Sequence, residues 1–563
     1  MRRTRTTLLV AAVAATATLG VTAATAGPGA PARVPTGFTE DRSADLAAAI
    51  DPAKPRNVIL IIGDGMDDSM ITAARNYQYG AGGRFPALDS LPFTGAMTTY
   101  GLKAGAGPDY PIAYVSDSAP TASGWSTGKK TIDGRLSQGP SALATTPGEN
   151  YKTVLEHYQE QGKLVGDVST AELTDATPAA AASHISQRAC QGPTDMTVCA
   201  VEKKSAGGLG SVAEQLVDHE IDVLLGGGKN RFAQATDAGP TVLADAATKG
   251  YRLVEDKAAL DAVTSLEAGP VLGLFTGGNM TPRFNPLVAT PPPGSGGPTT
   301  KCTDADRGNQ PDLSTMTAKA IDLLDNDKGF FLQSESAMID KQEHSSDICG
   351  AIGDLVELDE TVQVALDYQA DHPDTLVIVT GDHAHSTQIV ANPADDGRQT
   401  ATVQTVDGDP MSVAYSTNAV GSDHTGTQIR VAASGPQAAN VTGVIDQTDL
   451  FGTLLGREPS TLPGPGEPTP LEPAVQVASL GSVPAASLKK RGLPISVAAA
   501  GATKVTVTLR NKGKLILTKV LPSRGGDTRL RTARKVTGPL VVKVTVTGPG
   551  GSATDSRTVR TTR

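Results

Sequence analysis

The run Asn57-Val-Ile-Leu-Ile-Ile62 most limits what this chain can become. Its apolar side chains leave an extended backbone alternately on both sides, so a strand built from it has no face fit for water. It must lie in a sheet covered on both faces, the condition of a central strand in a parallel sheet. Shorter or less pure runs recur at Leu164–Val168, Val223–Leu225, Phe330–Leu332 and Leu376–Thr380, with helix-like patterns between them, including Met316–Leu324 and Ile352–Tyr368. Strands alternating with helices predict an α/β fold: a mostly parallel sheet with helices on both faces, in three α/β/α layers. In such sheets chemistry sits beyond the carboxyl ends of the strands.

The 563 residues exceed one ordinary domain. Arg2, Arg3 and Arg5, an apolar stretch from about Leu8 and the small-residue site Ala24-Thr25-Ala26 read as a secretory signal peptide over residues 1–26. Arg2-Arg3 leaves the general and the twin-arginine export routes both open. A loose segment over 27–44 then precedes a catalytic body over 45–457. Pro459–Pro473 holds six prolines among Gly, Thr and Glu, which places a semi-rigid linker over 458–475. In the remainder, 476–563, Lys504–Leu509, Lys514–Lys519 and Val541–Thr547 alternate apolar with polar residues, separated by Asn511-Lys-Gly513 and Gly548-Pro-Gly-Gly551. That spacing predicts a small all-β sandwich. No later stretch reaches the roughly 18 apolar residues of a membrane helix, so the chain is expected to lack a transmembrane anchor and to be secreted, extracellular or periplasmic.

The net charge of −10 hides two opposed bodies. Seventeen Lys/Arg against Asp527 and Asp555 give Val475–Arg563 a balance of +15, which leaves −25 for Met1–Ala474. The acidic body argues against a specific nucleic-acid partner, whereas the basic module reads as a solvated β-domain or as a tether to anionic cell-wall polymer. Four cysteines are too few for a disulfide scaffold and allow three pairings; Cys190 with Cys199 and Cys302 with Cys349 is the most local. No C-x-x-C pair occurs, which argues against a four-cysteine zinc site.

The polar residues just past each strand share a theme. Gly63-Asp64-Gly65-Met66 follows the first strand, and Ser169 to Asp175-Ala-Thr177-Pro178 follows the second. Gln333-Ser-Glu335 and Asp340-Lys341-Gln-Glu-His344 follow the Phe330 strand, Gly381-Asp382-His383-Ala-His385 follows Leu376–Thr380, and Ser422-Asp-His424 comes later. Asp340 and His344, four apart, face one way on a helical turn and can share an ion. Asp382 and His383 reach one site only if the strand ends before them, and Gly381 stands where the backbone would turn. Histidine with aspartate suits zinc, while the all-oxygen set Asp64, Thr177 and Glu335 suits magnesium. Paired divalent ions about 4 Å apart clamp an in-line phosphoryl transfer. Asp117-Ser118, before small residues, looks like the cap and first turn of a helix, where backbone N–H groups favour an anion and a serine can serve as nucleophile or only as a cap.

Asp117-Ser118-Ala with Trp125-Ser-Thr-Gly128, Asp64-Gly-Met66, Asp175-Ala-Thr-Pro178, Asp340-Lys-Gln-Glu-His344, Gly381-Asp-His-Ala-His385 and His424-Thr-Gly426 together resemble the bacterial alkaline phosphatases. The match runs in order from about Asn57 to Leu455. The resemblance implies Ser118 as a phosphorylated nucleophile, one zinc on Asp340, His344 and His424, and a second on Asp64, Asp382 and His383. It implies a magnesium on Asp64, Thr177 and Glu335, with Asp175 nearby through water. Arg188 in Ser183-His-Ile-Ser-Gln-Arg188 would bind phosphate, with Asp117 positioning it, Lys341 reaching phosphate through water and His385 standing behind the zinc ligands. The Cys190–Cys199 and Cys302–Cys349 pairing is also the family's. Asp175 and Lys341 mark the magnesium-using subtype; relatives often carry histidine there. Asp67 departs from the family's usual glycine. The resemblance thus implies a phosphomonoesterase with two zinc ions and one magnesium ion per chain, acting on small phosphomonoesters, and a homodimer. The alternative is a phosphodiesterase or sulfatase of the same superfamily, which generally uses a threonine or a modified cysteine or serine where this chain has Ser118.

Overall fold

A computed structural model describes residues 41–291, 296–393, 397–415, 422–458, 473–478, 480 and 482–562. The signal peptide and nearly all of the proline-rich linker expected from the sequence lie outside the described residues. The chain divides into two compact units, one through Pro459 and one from Ser460.

The first unit is built on a ten-stranded sheet. Its strands in chain order are β1 (Asn57–Gly63), β2 (Phe93–Thr98), β3 (Leu164–Glu172), β4 (Val223–Gly227), β5 (Arg252–Val254), β6 (Val271–Leu274), β7 (Phe330–Ser336), β8 (Thr375–Gly381), β9 (Ile429–Ser434) and β10 (Gly443–Asp446). They lie in the order β10-β2-β9-β8-β1-β7-β3-β4-β6-β5. All pairings are parallel except those of β9, which runs antiparallel to both β8 and β2.

Each apolar run expected to form a strand does so, and β1 shows why. Ile59 and Ile61 pack into one hydrophobic core, while Val58, Leu60 and Ile62 pack into another on the opposite face. Val377 and Val379 join the first core, Leu376 and Ile378 the second. Helices Leu313–Leu324 and Ile348–Asp371 cover the first face. Helices Ser118–Thr127, Val154–Glu160 and Val212–Asp218 cover the second. The three layers follow from strands that had no face to give to water.

Register then fixes where the chemistry falls. Gly63 pairs with Ser336 of β7 and with Gly381 of β8, so three adjacent strands end level. A smaller sheet in this unit joins Thr387–Val390, Gln399–Gln404 and Pro410–Tyr415, with Gly296–Thr300 at its edge.

The second unit is all β. Ala474–Val477, Leu493–Ala500 and Gly525–Leu530 form one antiparallel sheet. Lys514–Leu521, Lys504–Asn511, Leu540–Gly548 and Gly551–Val559 form another. Val477, Ile495 and Val497 of the first share one core with Val505, Val507, Val542 and Val544 of the second. Alternate residues such as Lys504, Arg510 and Lys543 are exposed, as the period-two pattern requires.

Both disulfides have the most local pairing, Cys190–Cys199 and Cys302–Cys349. They span 9 and 47 residues, and loop-closure entropy favours the longer bridge, about 4 kcal/mol against about 2.6 kcal/mol. Replacing Cys302 and Cys349 together by serine is therefore expected to lower the urea midpoint more than the same change at Cys190 and Cys199. The reverse order would show that native packing, not chain entropy, sets the contribution.

Candidate active site

Asp64 is the first residue beyond β1, and it is buried. Gly65 follows at φ +71°, a left-handed conformation, and a Cβ there would stand 3.1 Å from the Cα of Asp340. That close approach seats helix Met338–His344 against the end of β1. Asp340 and His344 share one face of this helix as expected, with Oδ1 and Nε2 3.5 Å apart. Strand β8 stops at Gly381, which frees both Asp382 and His383 to turn to the same side. Gly381 has no positive φ; its missing Cβ leaves room for the carbonyl oxygen of Met66. The backbone turns after Gly381 as expected, and the glycine also serves close packing against the Met66 carbonyl.

Ser118 opens helix Ser118–Thr127, and Asp117 caps it, accepting from the Ser118 N–H at 2.8 Å. The serine hydroxyl is buried and faces the end of the sheet. Its oxygen stands 3.4 Å from both carboxylate oxygens of Asp64 and 3.3 Å from His383 Nε2. His383 Nε2 is 3.3 Å from Asp64 Oδ1 and 3.4 Å from Asp382 Oδ2. Donors on a tetrahedral zinc ion, held at about 2.0–2.1 Å, stand about 3.3 Å from one another. The Ser118 oxygen, one Asp64 oxygen and His383 Nε2 have that spacing, and Asp382 Oδ2 stands at the same distance from His383 Nε2.

A second set repeats it. Asp340 Oδ1 is 3.3 Å from His424 Nε2, and the two imidazole nitrogens of His344 and His424 are 3.0 Å apart. His344 Nδ1 donates to the Ser422 carbonyl, which leaves Nε2 free as a ligand. Asp340 Oδ1 is buried without a hydrogen bond, although three imidazole nitrogens converge on it. Such orphaned groups fit a bound cation.

Beside them lies an all-oxygen set. Glu335 pairs in register with Ile62 of β1 on one side and Ser169 of β3 on the other. Thr177 is buried in helix Ala176–Ala180, which Asp175 caps, and its Oγ1 lacks a hydrogen bond. With Asp64 these oxygens suit magnesium. Two cations face the cluster: Arg188 Nη1 donates to both oxygens of Asp117 at 2.8 Å and its Nη2 to Asp175, while Lys341 Nζ is 3.1 Å from Asp175 and 3.4 Å from Asp340.

The sequence matches the family model for alkaline phosphatase over residues 55–418. It is 46% identical over 428 residues to an alkaline phosphatase of Escherichia fergusonii, covering 74% of this chain and 88% of that one. The chain belongs to the alkaline phosphatase family. It is an enzyme that hydrolyses phosphate monoesters, in a metal-dependent family. The streptomycin-6-phosphate phosphatase of Streptomyces griseus is 42% identical, over 72% of this chain and 90% of its own length. The alkaline phosphatase from the Antarctic bacterium TAB5 shares the fold with a TM-score of 0.54 at 22% identity, covering 72% of this chain and 98% of that one.

In this phosphatase the sequence-selected residues Asp64, Asp117, Ser118, Asp175, Thr177, Arg188, Glu335, Asp340, Lys341, His344, Asp382, His383 and His424 gather at one end of the sheet. His385 joins them, with a ring nitrogen within 4.8 Å of the candidate ligand atoms of Asp340, His344 and His424. Its Nδ1 accepts from the Ser386 N–H at 2.9 Å, so in the neutral ring the proton sits on Nε2, 3.5 Å from Asp340 Oδ1.

Burial is the main force pushing the Asp64 carboxyl well above its ordinary value, with Asp382 and Asp340 adding repulsion. Burial acts the same way on Asp175 and Asp117, but Lys341 and Arg188 outweigh it for Asp175, and Arg188 with His383 and His424 outweighs it for Asp117, so both are held down.

Sequence reasoning missed several neighbours. Asp67, noted only as a departure, caps helix Asp68–Tyr79 by accepting from the Met70 N–H, and burial raises it to about 6. Glu343 is buried beside His344 and accepts from Thr387. Asp133 and Asp423 line, with Asp117, His344 and His424, a cleft of about 390 Å³ over the site. Asp423 stood next to a selected histidine, but Asp133 carried no local signal at all.

A Gly381→Ala substitution drives a methyl group into the Met66 carbonyl and displaces Asp382 and His383. Hydrolysis is expected to fall by about tenfold or more, since displacements near 1 Å at a reacting centre cost about a hundredfold. Unchanged turnover in that variant would remove the packing account of this glycine.

Proposed function

We propose that this chain is an exported phosphomonoesterase that works through a phosphoserine on Ser118, and that Asp340, His344 and His424 hold one zinc ion. Asp64, Asp382 and His383 hold a second, and Asp64, Thr177 and Glu335 a magnesium ion with Asp175 beside it. The observation that carries this reading is the Ser118 oxygen, 3.3–3.4 Å from His383 and Asp64, the spacing of donors that share one zinc ion. When bound, the ions stabilise negative charge on the serine oxygen, on the transferring phosphoryl group and on the leaving oxygen.

The residues account for the rest. The N–H groups at the start of helix Ser118–Thr127 face the anion, and Asp117 holds Arg188 so that its planar fork meets two phosphoryl oxygens. The Ser118 oxygen bonds to phosphorus as its proton leaves to solvent, and the bond from phosphorus to the ester oxygen breaks, releasing an alcohol. Water then attacks the phosphoserine, freeing inorganic phosphate and restoring Ser118. Lys341, held between Asp175 and Asp340, reaches the phosphate through water. Arg188 matches the spread of charge over the equatorial oxygens in both steps. Small phosphomonoesters are the substrate class, and the relative named for streptomycin-6-phosphate illustrates the kind of alcohol that such a site releases.

Ser118→Ala is expected to lower hydrolysis of p-nitrophenyl phosphate at least about a thousandfold, because the nucleophile is the one group that the others cannot replace. Wild-type turnover in that variant would sink the mechanism, and equal turnover of a phosphodiester would favour the diesterase alternative.

The division into signal peptide over 1–26, catalytic domain over 45–457, linker over 458–475 and basic module over 476–563 is part of the same proposal, as is a homodimer. So is a cell-wall role for the basic module. Among the described residues no helix is long and apolar enough to cross a membrane. Lys504, Lys514, Lys519, Arg529, Lys543 and Arg557 are exposed on the sheets of the second unit, a surface suited to an anionic polymer. The full-length enzyme is expected to sediment with cell walls at low salt and to be released at high salt. Failure to sediment at any salt concentration would leave the module as a solvated β-domain.

A further inference from the structure

Glu156, His184 and His219 come from three separate stretches and have no residue in common with the ligand sets above. Glu156 lies in the first turn of helix Val154–Glu160, where its Oε2 accepts from the Thr153 N–H at 2.7 Å. That leaves Oε1 for His184 Nε2, 3.1 Å away, and for His219 Nε2, 3.8 Å away. The three candidate ligand atoms all lie within 4.8 Å of one another. His184 and Glu156 expose only 6% and 18% of their side chains and His219 23%, so water screens the cluster poorly.

The hydrogen bonds set the tautomer. His184 Nδ1 is 3.0 Å from the Ser137 carbonyl, which can only accept, so Nδ1 carries a proton. In the neutral ring Nε2 then presents a lone pair to Glu156 Oε1, and two acceptors face each other at hydrogen-bond distance. A positive charge must lie between them. A proton on Nε2 satisfies that pair alone and leaves His219 Nε2, 3.8 Å from the same carboxylate oxygen, beyond hydrogen-bond distance. A divalent ion satisfies all three at once. The backbone around His184 is already fixed for that task, since its N–H donates to Gln215 Oε1 at 2.8 Å and its carbonyl accepts from Gln215 Nε2 at 3.2 Å. A histidine ligand whose second nitrogen donates to a carbonyl is the arrangement that orients and strengthens metal binding.

We propose that Glu156, His184 and His219 form a further zinc site, with one carboxylate and two imidazole ligands and a fourth position open to solvent. Two histidines and a carboxylate are a donor set that zinc favours over magnesium or calcium. Of the eight histidines in the chain, this site uses two and the catalytic end of the sheet uses four, His344, His383, His385 and His424. His219, the most exposed of the three ligands, closes the site.

The test uses the full-length enzyme, equilibrated with zinc chloride, freed of unbound metal and analysed for zinc per chain. His219→Ala and the bulkier His219→Gln are each expected to hold one zinc ion fewer than wild type, with hydrolysis of p-nitrophenyl phosphate within about twofold of wild type. Equal zinc content in wild type and both variants overturns the site. So does a loss of hydrolysis together with zinc in both variants, because the histidine would then serve the catalytic ions or the fold. The reading of Ser118 as nucleophile stands or falls separately, since neither variant alters a residue given a catalytic role.

Discussion

Carboxylates brought together where β1, β7 and β8 end are the constraint that the catalytic unit is organised around. Asp64, Glu335 and Asp382 follow from strands whose ends are level by register, and Asp340 is pressed against them by the approach that Gly65 allows. All four are buried. Burial drives Asp64 well above its ordinary value and Glu335 up to about 7, and the neighbouring carboxylates add to the effect. They cannot relax apart, because alternate residues of the same strands are locked into two separate cores. Such a cluster stays ionised only beside cations, and the chain provides Arg188 and Lys341 but leaves donor atoms at zinc-like spacing.

The positioning of Ser118 depends on a second buried network. Trp125 lies about two turns along the helix that Ser118 opens, and its indole N–H donates to Gln333 Oε1 at 3.2 Å. Gln333 Nε2 donates in turn to the Thr177 carbonyl at 3.1 Å. One side chain of β7 therefore links the helix carrying Ser118 to the helix carrying Thr177, two residues before Glu335 on the same strand. In a low-dielectric interior a satisfied network of this kind fixes one arrangement against alternatives.

Much of this was legible in the sequence. The two-faced apolar runs specified the strands, and the rule that ligands gather past strand ends directed attention to the segments that hold the site. The resemblance then supplied roles to residues whose types already pointed to metal and phosphate chemistry. What escaped was anything decided by contact between distant segments. Gly381 ends its strand as its place in the sequence suggested, but only the structure shows the Met66 carbonyl packed against it. Asp67 looked like a charge out of place and is a helix cap. Glu156, His184 and His219 are dispersed over 64 positions with no shared motif, and each is ordinary until the fold brings the three together.

The sequence by itself determined which segments become strands, where the chain divides between an acidic and a basic body, and which chemical groups are available, because these depend on side-chain type and local period. Tertiary structure alone decided that β9 runs antiparallel, that three strands end level, that His385 Nε2 comes within 3.5 Å of Asp340 Oδ1, and that the Ser118 oxygen stands 3.3–3.4 Å from His383 and Asp64. Those outcomes rest on distances of 3–4 Å between residues up to hundreds of positions apart, and such distances are set by register and packing, which no local pattern encodes.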